Sequence, residues 1–224
     1  MTAYTDSLSL FFGNNENLLK AVMALCSIKN FKAGDTILAQ EDEGDEVFCL
    51  LEGQVRALVL SIEGHEIWLD DFGPGEIFGE MAAIGGFERS SNIVALTNLT
   101  VAVFPGNQFL ALMRKEGSLG LKVSEVLVKR IRATTQRMFE LSALSAPGRV
   151  YAELLRISEA LEEEGVETRI IKPVPVAATF ALSVNSTRET VTRAISDLKR
   201  LGLIRREEDA LIILAPKKLG GLIN

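Results

Sequence analysis

The sequence is poor in the residues from which metal centres and disulfide frameworks are built. Its 224 residues include one histidine, two cysteines and one tryptophan. The single histidine, His65, lies in a predicted hairpin turn, and no set of histidine ligands or nucleophile–base pair can be assembled around it. Cys26 and Cys49 lie in apolar segments and are expected to be buried free thiols. We therefore expect no enzyme active site, no metal centre and no prosthetic group.

Long apolar runs and a targeting segment are also missing. No stretch approaches the roughly 18 apolar residues that a membrane-spanning helix needs, and no basic region precedes the apolar residues of the N-terminus. A cytoplasmic protein without a membrane partner is the expectation. Apolar residues nevertheless make up 47% of the chain, which is enough for a proper hydrophobic core.

Acidic residues outnumber basic ones, but the two are unevenly distributed. The net charge is −6. Residues 1–144 carry 12 basic and 19 acidic side chains, whereas residues 170–224 carry 9 basic and 5 acidic ones. This asymmetry predicts that any polyanion is bound by the C-terminal part of the chain.

Between residues 29 and 105 the sequence breaks into short apolar segments separated by turn residues. The segments are "TILAQ", "EVFCLLEG", "VRALVLS", "HEIWLDDF", "NIVAL" and "TVAVF". They alternate or cluster Val, Ile, Leu and Phe as strands do, and glycines punctuate them. After a first helix near residues 15–26, many short strands at near-regular spacing predict a β-sandwich or barrel-like roll.

A helical period begins after Gly106. Residues 107–117 form a short predicted helix and residues 118–143 a long one. An apolar stripe along the long helix needs a partner surface, either a second copy in a parallel dimer or the β-domain of the same chain. Thr134 on the stripe and Thr135 beside it either set the register or face something polar. The stripe has spacings close to a coiled-coil seam and consists of Val123, Leu127, Ile131, Thr134, Met138 and Leu141.

The segment "SAPGR" at residues 145–149 ends the long helix and suits a domain boundary, because Pro147 favours a helix start. Residues 150–163 are predicted to form another helix that ends in the acidic run "LEEEG", a solvated face without assigned function. The predicted domains are therefore residues 1–117, the long helix at 118–144, and residues 145–224.

The segment at residues 176–216 predicts a helix, a tight turn, an amphipathic helix and a two-stranded wing. Asn185 suits a left-handed turn position, and Ser186 or Thr187 would cap the second helix. This order of elements is typical of a winged helix-turn-helix, which reads the DNA major groove; the alternative is an ordinary helical pair. One face of the second helix is apolar, with Val191, Ala194, Ile195, Leu198 and Leu201, and the other is polar, with Glu189, Thr192, Arg193, Ser196, Lys199 and Arg200.

Three segments together carry a family resemblance. The stretch "STRETVTRAISDLKRLGLI" resembles the recognition helix of the catabolite activator / fumarate–nitrate regulator (CRP/FNR) family of bacterial transcription factors. The stretch "FGEMAAIGGFERSS" resembles the phosphate-binding cassette of that family, and "KRIRATTQRM" its dimer helix. The resemblance implies an α+β fold: an N-terminal cyclic-nucleotide-binding β-roll (double-stranded β-helix or jelly roll), a long dimerisation helix and a C-terminal winged helix-turn-helix.

The resemblance also gives a role to two charges in the segment "GEIFGEMAAIGGFERSSNIVAL". Glu80 and Arg89 lie there among small apolar residues, where a charge needs compensation. The family pattern implies that cyclic AMP balances them, with Arg89 on the cyclic phosphate and Glu80 on the ribose hydroxyl. Residues 79–84 would form a helical turn whose N–H groups face the anion. The full implied ligand set is Gly79, Glu80, Arg89, Ser90, Thr134 and Thr135, with Thr135 reaching the adenine of the partner subunit.

For the C-terminal domain, the resemblance implies base contacts from the second helix. Arg188, Glu189 and Arg193 would read bases and Thr187 would bind phosphate; independently of the resemblance, Thr192 on the polar face could contact either guanine or cytosine. The expected partners are inverted-repeat double-stranded DNA, a second copy of the chain and RNA polymerase. The expected function is a homodimeric transcriptional regulator under allosteric control by cyclic AMP.

Other functions on a similar scaffold require residues that are missing. A cupin-like enzyme and the haem and iron–sulfur sensors of the same family all need histidine or cysteine ligands that this sequence lacks. A regulator with the same fold that responds to another ligand, or to none, stays open.

Overall fold

The polypeptide divides within its longest helix into two units, residues 1–131 and 132–224, in the computed structural model. The structure describes residues 4–61, 64, 66–163 and 166–223. The predicted hairpin position of His65 and the end of the acidic run at residues 164–165 lie outside the described residues.

The N-terminal unit begins with two helices where the sequence predicted one. Helix α1 spans Thr5–Phe12 and α2 spans Glu16–Leu25. Asn15 separates them because its side chain caps α2, accepting hydrogen bonds from the backbone N–H groups of Asn17 and Leu18. The predicted first helix therefore corresponds to α2.

Eight strands follow among the described residues and form the predicted β-roll. One sheet has the strand order β1-β8-β3-β6 and the other the order β2-β7-β4-β5, with antiparallel neighbours throughout. The β-roll and the helices that flank it in the sequence together form an α+β unit, as predicted. The strands are β1 Ser27–Phe31, β2 Thr36–Leu38, β3 Val47–Glu52, β4 Val55–Leu60, β5 Glu66–Phe72, β6 Ile77–Phe78, β7 Asn92–Ala95 and β8 Leu99–Phe104.

Strand β3 explains why residues 47–51 of "EVFCLLEG" form an unbroken apolar run. Side chains alternate across a strand, and both faces of β3 are buried. Phe48 and Leu50 belong to the core inside the roll. Val47, Cys49 and Leu51 belong to a second core that is shared with the helices. The continuous apolar run therefore serves two cores at once.

Three helices complete this unit: α3 at Glu80–Gly85, α4 at Gly106–Lys115 and α5 at Gly117–Ala143, the last running on into the second unit. The start of α5 corrects the predicted seam. Val123 is 1% exposed and packs in the helix-side core, and Leu127 packs against that core. This half of the stripe therefore packs against the β-domain of the same chain, because α5 begins docked on it.

The C-terminal unit contains a four-stranded sheet with the order β11-β12-β10-β9. A core of buried residues from the helices and strands, including Leu154, Phe180, Leu198 and Ile213, joins them. The elements are α6 Ala146–Ile157, β9 Glu159–Glu163, β10 Val166–Ile171, α7 Ala177–Ser183, α8 Arg188–Arg200, β11 Ile204–Arg206, β12 Leu211–Ile213 and α9 Pro216–Gly220.

The helix predicted over residues 150–163 is wrong in its second half. Helix α6 ends at Ile157, and residues 159–163 form β9, which pairs with β10. Ala, Leu and Glu favour helices, but pairing with β10 overrides this local preference. Thr168 supports the pairing, since its hydroxyl donates to the Leu161 carbonyl at 2.7 Å.

Candidate functional site

Gly79 holds the turn between β6 and α3 in a conformation that only glycine adopts readily. Its φ is +83°. An added Cβ would lie 2.7 Å from the Glu46 carbonyl oxygen and 2.9 Å from Arg89 Nη1. The turn therefore lets the backbone approach the Arg89 guanidinium closely, and the sequence prediction that Gly79 and Arg89 lie together is consistent with this geometry.

Arg89 is buried and points at this turn. The residue is 4% exposed. Its Nη1 donates to the carbonyls of Glu46 at 2.9 Å and Gly79 at 3.1 Å, and its Nη2 donates to Glu46 Oε2 at 2.9 Å. Its backbone is pinned too, since Arg89 N–H donates to the Asp42 carbonyl at 3.0 Å. The guanidinium is therefore fixed in orientation from several sides.

Glu80 is the most deeply buried charge of the site, at 1% exposure. Arg130 on α5 donates from Nη1 to Glu80 Oε1 and from Nη2 to the Ile77 carbonyl, the latter at 2.6 Å. The Arg130 guanidinium also lies 4.6 Å from the centre of the Phe72 ring. Among the residues that the structure describes, Glu80 Oε2 has no hydrogen-bond partner. Half of a buried carboxylate is thus left without a donor.

Each of the two charges therefore has a partner within the chain, and the expectation that a ligand also balances them stays a prediction. Glu46 neutralises Arg89, and Arg130 neutralises Glu80. Arg130 was missed, although it lies one helical turn before Thr134 on the same helix face, a spacing that could have pointed to it. Glu46 lies in an acidic run, and no local pattern distinguishes it from its neighbours.

The remaining predicted ligand residues are exposed. Ser90 follows Arg89, and its hydroxyl lies 3.9 Å from the Met81 sulfur. A cavity of about 560 Å³ opens beside Arg89 and Ser90. Thr134 and Thr135 lie on the surface of α5 in the second unit. That these threonines join Glu80 and Arg89 around one ligand stays a prediction.

The helix-turn-helix of the C-terminal unit has the local geometry that the sequence predicts. Asn185 has a φ of +45°, in the left-handed region. Of the two possible caps, Thr187 is the one used, since its hydroxyl accepts from the Thr190 N–H at 3.2 Å. Helix α8 therefore begins at Arg188 with its N-terminal residues at the surface.

The two faces of α8 are also separated as predicted, with one exception. Val191, Ala194 and Leu198 are buried. Leu201, assigned to the apolar face, is 59% exposed because α8 ends at Arg200 and the chain turns at Gly202. The predicted DNA-contacting residues are all exposed: Thr187, Arg188, Glu189, Thr192 and Arg193.

Arg149 is a third residue that the sequence analysis missed, after Arg130 and Glu46. From the start of α6, its Nε donates to the Val184 carbonyl and its Nη2 to the Asn185 carbonyl, both at 2.9 Å. Its Nη1 donates to the Leu144 carbonyl at 3.2 Å. One guanidinium thus fixes the helix-turn-helix turn to the chain that leaves α5.

Neither a metal centre nor a membrane span is found in the described residues. They contain no group of three or more His, Cys, Asp or Glu side chains that could hold a metal ion. Within those same ranges, no helix has the length and apolar character needed to cross a bilayer.

Comparison with known proteins matches both units. Residues 28–116 match the cyclic nucleotide-binding domain, and residues 148–222 match the Crp-like helix-turn-helix domain. A solved transcriptional regulator of the CRP/FNR family from Thermus thermophilus is 32% identical, with 88% of this chain and all of that chain covered and a TM-score of 0.61. The chain belongs to the CRP/FNR family.

Two other relatives show the range within the CRP/FNR fold. The "CRP-like cAMP-activated global transcriptional regulator" of Mycobacterium tuberculosis is 24% identical over 94% of each chain. The solved "c-di-GMP Responsive Global Regulator CLP" of Xanthomonas campestris is 18% identical, with coverage of 89% and 99% and a TM-score of 0.72. Members of the CRP/FNR family are transcription regulators rather than enzymes, and this member has the domains for a cyclic nucleotide and for DNA.

Proposed function

We propose that this chain is a homodimeric transcriptional regulator that binds cyclic AMP in the β-roll and thereby changes its affinity for DNA. The observation that carries the ligand assignment is Glu80 Oε2, a buried carboxylate oxygen at the start of α3 that has no hydrogen-bond partner among the described residues. Buried polar atoms without a partner are rare, and a ribose hydroxyl would supply the missing donor.

The neighbourhood of Glu80 suits the rest of a cyclic nucleotide. Gly79 forms the turn before α3, and Arg89 reaches this turn from the segment between α3 and β7, where two backbone carbonyls orient its guanidinium. Guanidinium groups bind phosphate well because their planar N–H donors match its oxygens. The name of the Mycobacterium tuberculosis relative supports cyclic AMP as the nucleotide.

The dimer assignment rests on the exposed apolar residues of α5. Ile131 is 64% exposed and Met138 65%, as a seam requires. Leu121 and Val128 are also exposed, at 64% and 55%. Positions 121, 128 and 135 alternate with 124, 131 and 138 at steps of three and four residues, which is the heptad spacing of a coiled coil. The proposed seam therefore shifts away from Val123 and Leu127 and includes Thr135.

The ligand test is a calorimetric titration with cyclic AMP and cyclic GMP, using protein first checked for nucleotide carried over from expression. We expect about one cyclic AMP per chain, bound more tightly than cyclic GMP. Arg89→Leu should weaken binding roughly thirtyfold or more, because truncating one partner of a buried charge pair costs about 2 kcal/mol or more. Arg114→Leu removes an exposed arginine from α4 and serves as the matched control.

A second ligand class is favoured by one observation, the pairing of Glu46 with Arg89, because a carboxylate beside the guanidinium opposes a second anion. Empty, folded protein that binds neither cyclic nucleotide would leave the DNA-binding function and transfer control to another ligand. The ligands to titrate first are then uncharged small molecules, and cyclic di-GMP, named for the Xanthomonas campestris neighbour, serves as the anionic comparison that Glu46 should oppose.

The DNA test concerns the N-terminal turn of α8. Glu189 is exposed there and could accept from cytosine N4. Glu189→Ala should relax preference at one base pair by about 1–3 kcal/mol while non-specific affinity persists. Unchanged discrimination at every position of the site, measured by competition binding, would remove Glu189 from the base-reading set.

A further inference from the structure

Three parallel phenylalanine rings of the roll lie in a row, with an arginine of the candidate site at each end. The rings of Phe48 and Phe78 are 5.0 Å apart at 4°, and those of Phe78 and Phe72 are 6.3 Å apart at 7°. Arg89 lies 6.0 Å from the centre of the Phe48 ring, and Arg130 lies 4.6 Å from that of Phe72. We call the three rings the Phe stack; it connects the two cations of the site.

The Phe stack joins the two sheets of the roll. Phe48 and Phe78 are direct partners on β3 and β6, whereas Phe72 ends β5 in the other sheet. All three rings are at most 5% exposed. Side chains in such a core are close-packed, so a ring displaced at one end of the stack displaces its neighbours rather than moving into empty space.

Strand β6 is also held by both arginines through its flanking carbonyls. Arg130 donates to the Ile77 carbonyl at 2.6 Å, and Arg89 donates to the Gly79 carbonyl at 3.1 Å. Phe78 lies between these two carbonyls and in the middle of the Phe stack. Backbone and side chain of the same residue therefore connect Arg89 to Arg130, and Arg130 belongs to α5.

We propose that Phe78 is a positioning residue that couples the occupancy of Arg89 to the position of Arg130 and thereby of α5. The inference rests on the proposed function, in which an anionic ligand engages Arg89. A ligand that draws Arg89 away from the Gly79 carbonyl changes the support of β6 on one side. Stacked rings and cation–π contacts have preferred geometries, so the Phe stack passes this change to Arg130.

The test replaces the middle ring. Phe78→Leu keeps an apolar side chain but removes the flat face that both neighbours contact. Phe12→Leu is the control, because Phe12 is 6% exposed and contacts Phe11 and Phe104 in the helix-side core. Each variant is titrated with cyclic AMP, and its affinity for an inverted-repeat DNA is measured without and with saturating nucleotide.

We expect Phe78→Leu to bind cyclic AMP nearly as wild type but to lose about tenfold or more of the nucleotide-dependent gain in DNA affinity. Phe12→Leu should lower the melting temperature by a similar amount and leave that gain unchanged. If Phe78→Leu keeps the full gain, or if both variants lose it equally, the Phe stack has only a packing role and the inference is wrong.

A second measurement needs no nucleotide. The unfolding free energies of Arg89→Leu, Arg130→Leu and the double variant are compared in the wild-type and F78L backgrounds. We expect the two arginine substitutions to be non-additive in the first background and additive in the second. Non-additivity that persists with F78L overturns the inference. If the protein binds no cyclic nucleotide but the two arginine substitutions show the expected non-additivity, the inference about Phe78 stands. In that case only the proposed ligand is wrong.

Discussion

Removal of the Arg130 side chain tests whether α5 is fastened to the ligand site through Glu80. Arg130→Met leaves Glu80 charged at 1% exposure without its guanidinium and leaves the Ile77 carbonyl without a donor. Breaking a buried ion pair on one side costs about 3–5 kcal/mol. Since the Arg130 side chain is itself 22% exposed, we take the lower end of that range.

A loss of about 3 kcal/mol corresponds to a fall in melting temperature of roughly 6–12 °C for a chain of this size. Thermal unfolding followed by circular dichroism measures it. Arg132→Met is the matched control, because Arg132 is exposed on the same helix and its loss should stay within about 0.5 kcal/mol.

A double variant identifies the cause of the loss. Adding Glu80→Gln to Arg130→Met removes the unpaired charge, so roughly 1–2 kcal/mol of the lost stability should return. If Arg130→Met is no less stable than Arg132→Met, the ion pair does not fasten α5 and the reasoning is refuted. If the double variant is less stable than Arg130→Met alone, the unpaired charge is not the cause.

Three further predictions concern the roll itself. Gly79→Ala should lower the free energy of unfolding by about 1–3 kcal/mol and weaken nucleotide binding. The new Cβ would lie 2.7 Å from the Glu46 carbonyl oxygen, and the backbone φ of +83° is strained for alanine. An unchanged midpoint of urea unfolding would contradict this prediction. Burial raises the pKa of the Cys49 thiol from its ordinary 9.0 to about 12, so iodoacetamide at pH 8 should modify it only after unfolding, as peptide mass spectrometry can measure. Because the folded state keeps this thiol protonated, its contribution to the free energy of unfolding is full below pH 9 and is lost as the pH rises towards 12. The melting temperature should therefore fall over this interval by more in the wild type than in Cys49→Ala. A melting temperature that rises in the wild type relative to this variant would contradict the prediction.

Local patterns were enough for the elements that form from neighbouring residues. Helix α8 follows from its apolar period and its Thr187 cap, and both are confirmed. The strand segments predicted within residues 29–105 are likewise confirmed as strands of the roll. Alternation of apolar and polar residues and the placing of turn glycines are both patterns that extend over only a few residues. The wing at β11 and β12 is of the same kind.

Interactions between distant residues could not be predicted in this way. The partners of the two buried charges are 43 and 50 residues away, at Glu46 and Arg130. The composition of β9 favours a helix, but its pairing with β10 makes it a strand. This pairing could not be predicted from the local pattern. The sequence left two partners open for the side of α5 that carries Val123, a second copy or the β-domain of its own chain, and the structure packs it in the core of its own chain.

The sequence by itself determined which domains this protein has and which residues form the turn at Gly79 and the exposed face of α8, because these depend on local periodicity, capping and backbone freedom. Only the tertiary structure decided which charge balances which and which face of α5 is left exposed. It also aligned three phenylalanines between two arginines. Those outcomes depend on how β3, β5, β6 and α5 pack together, and packing across such separations leaves no regular spacing in the chain.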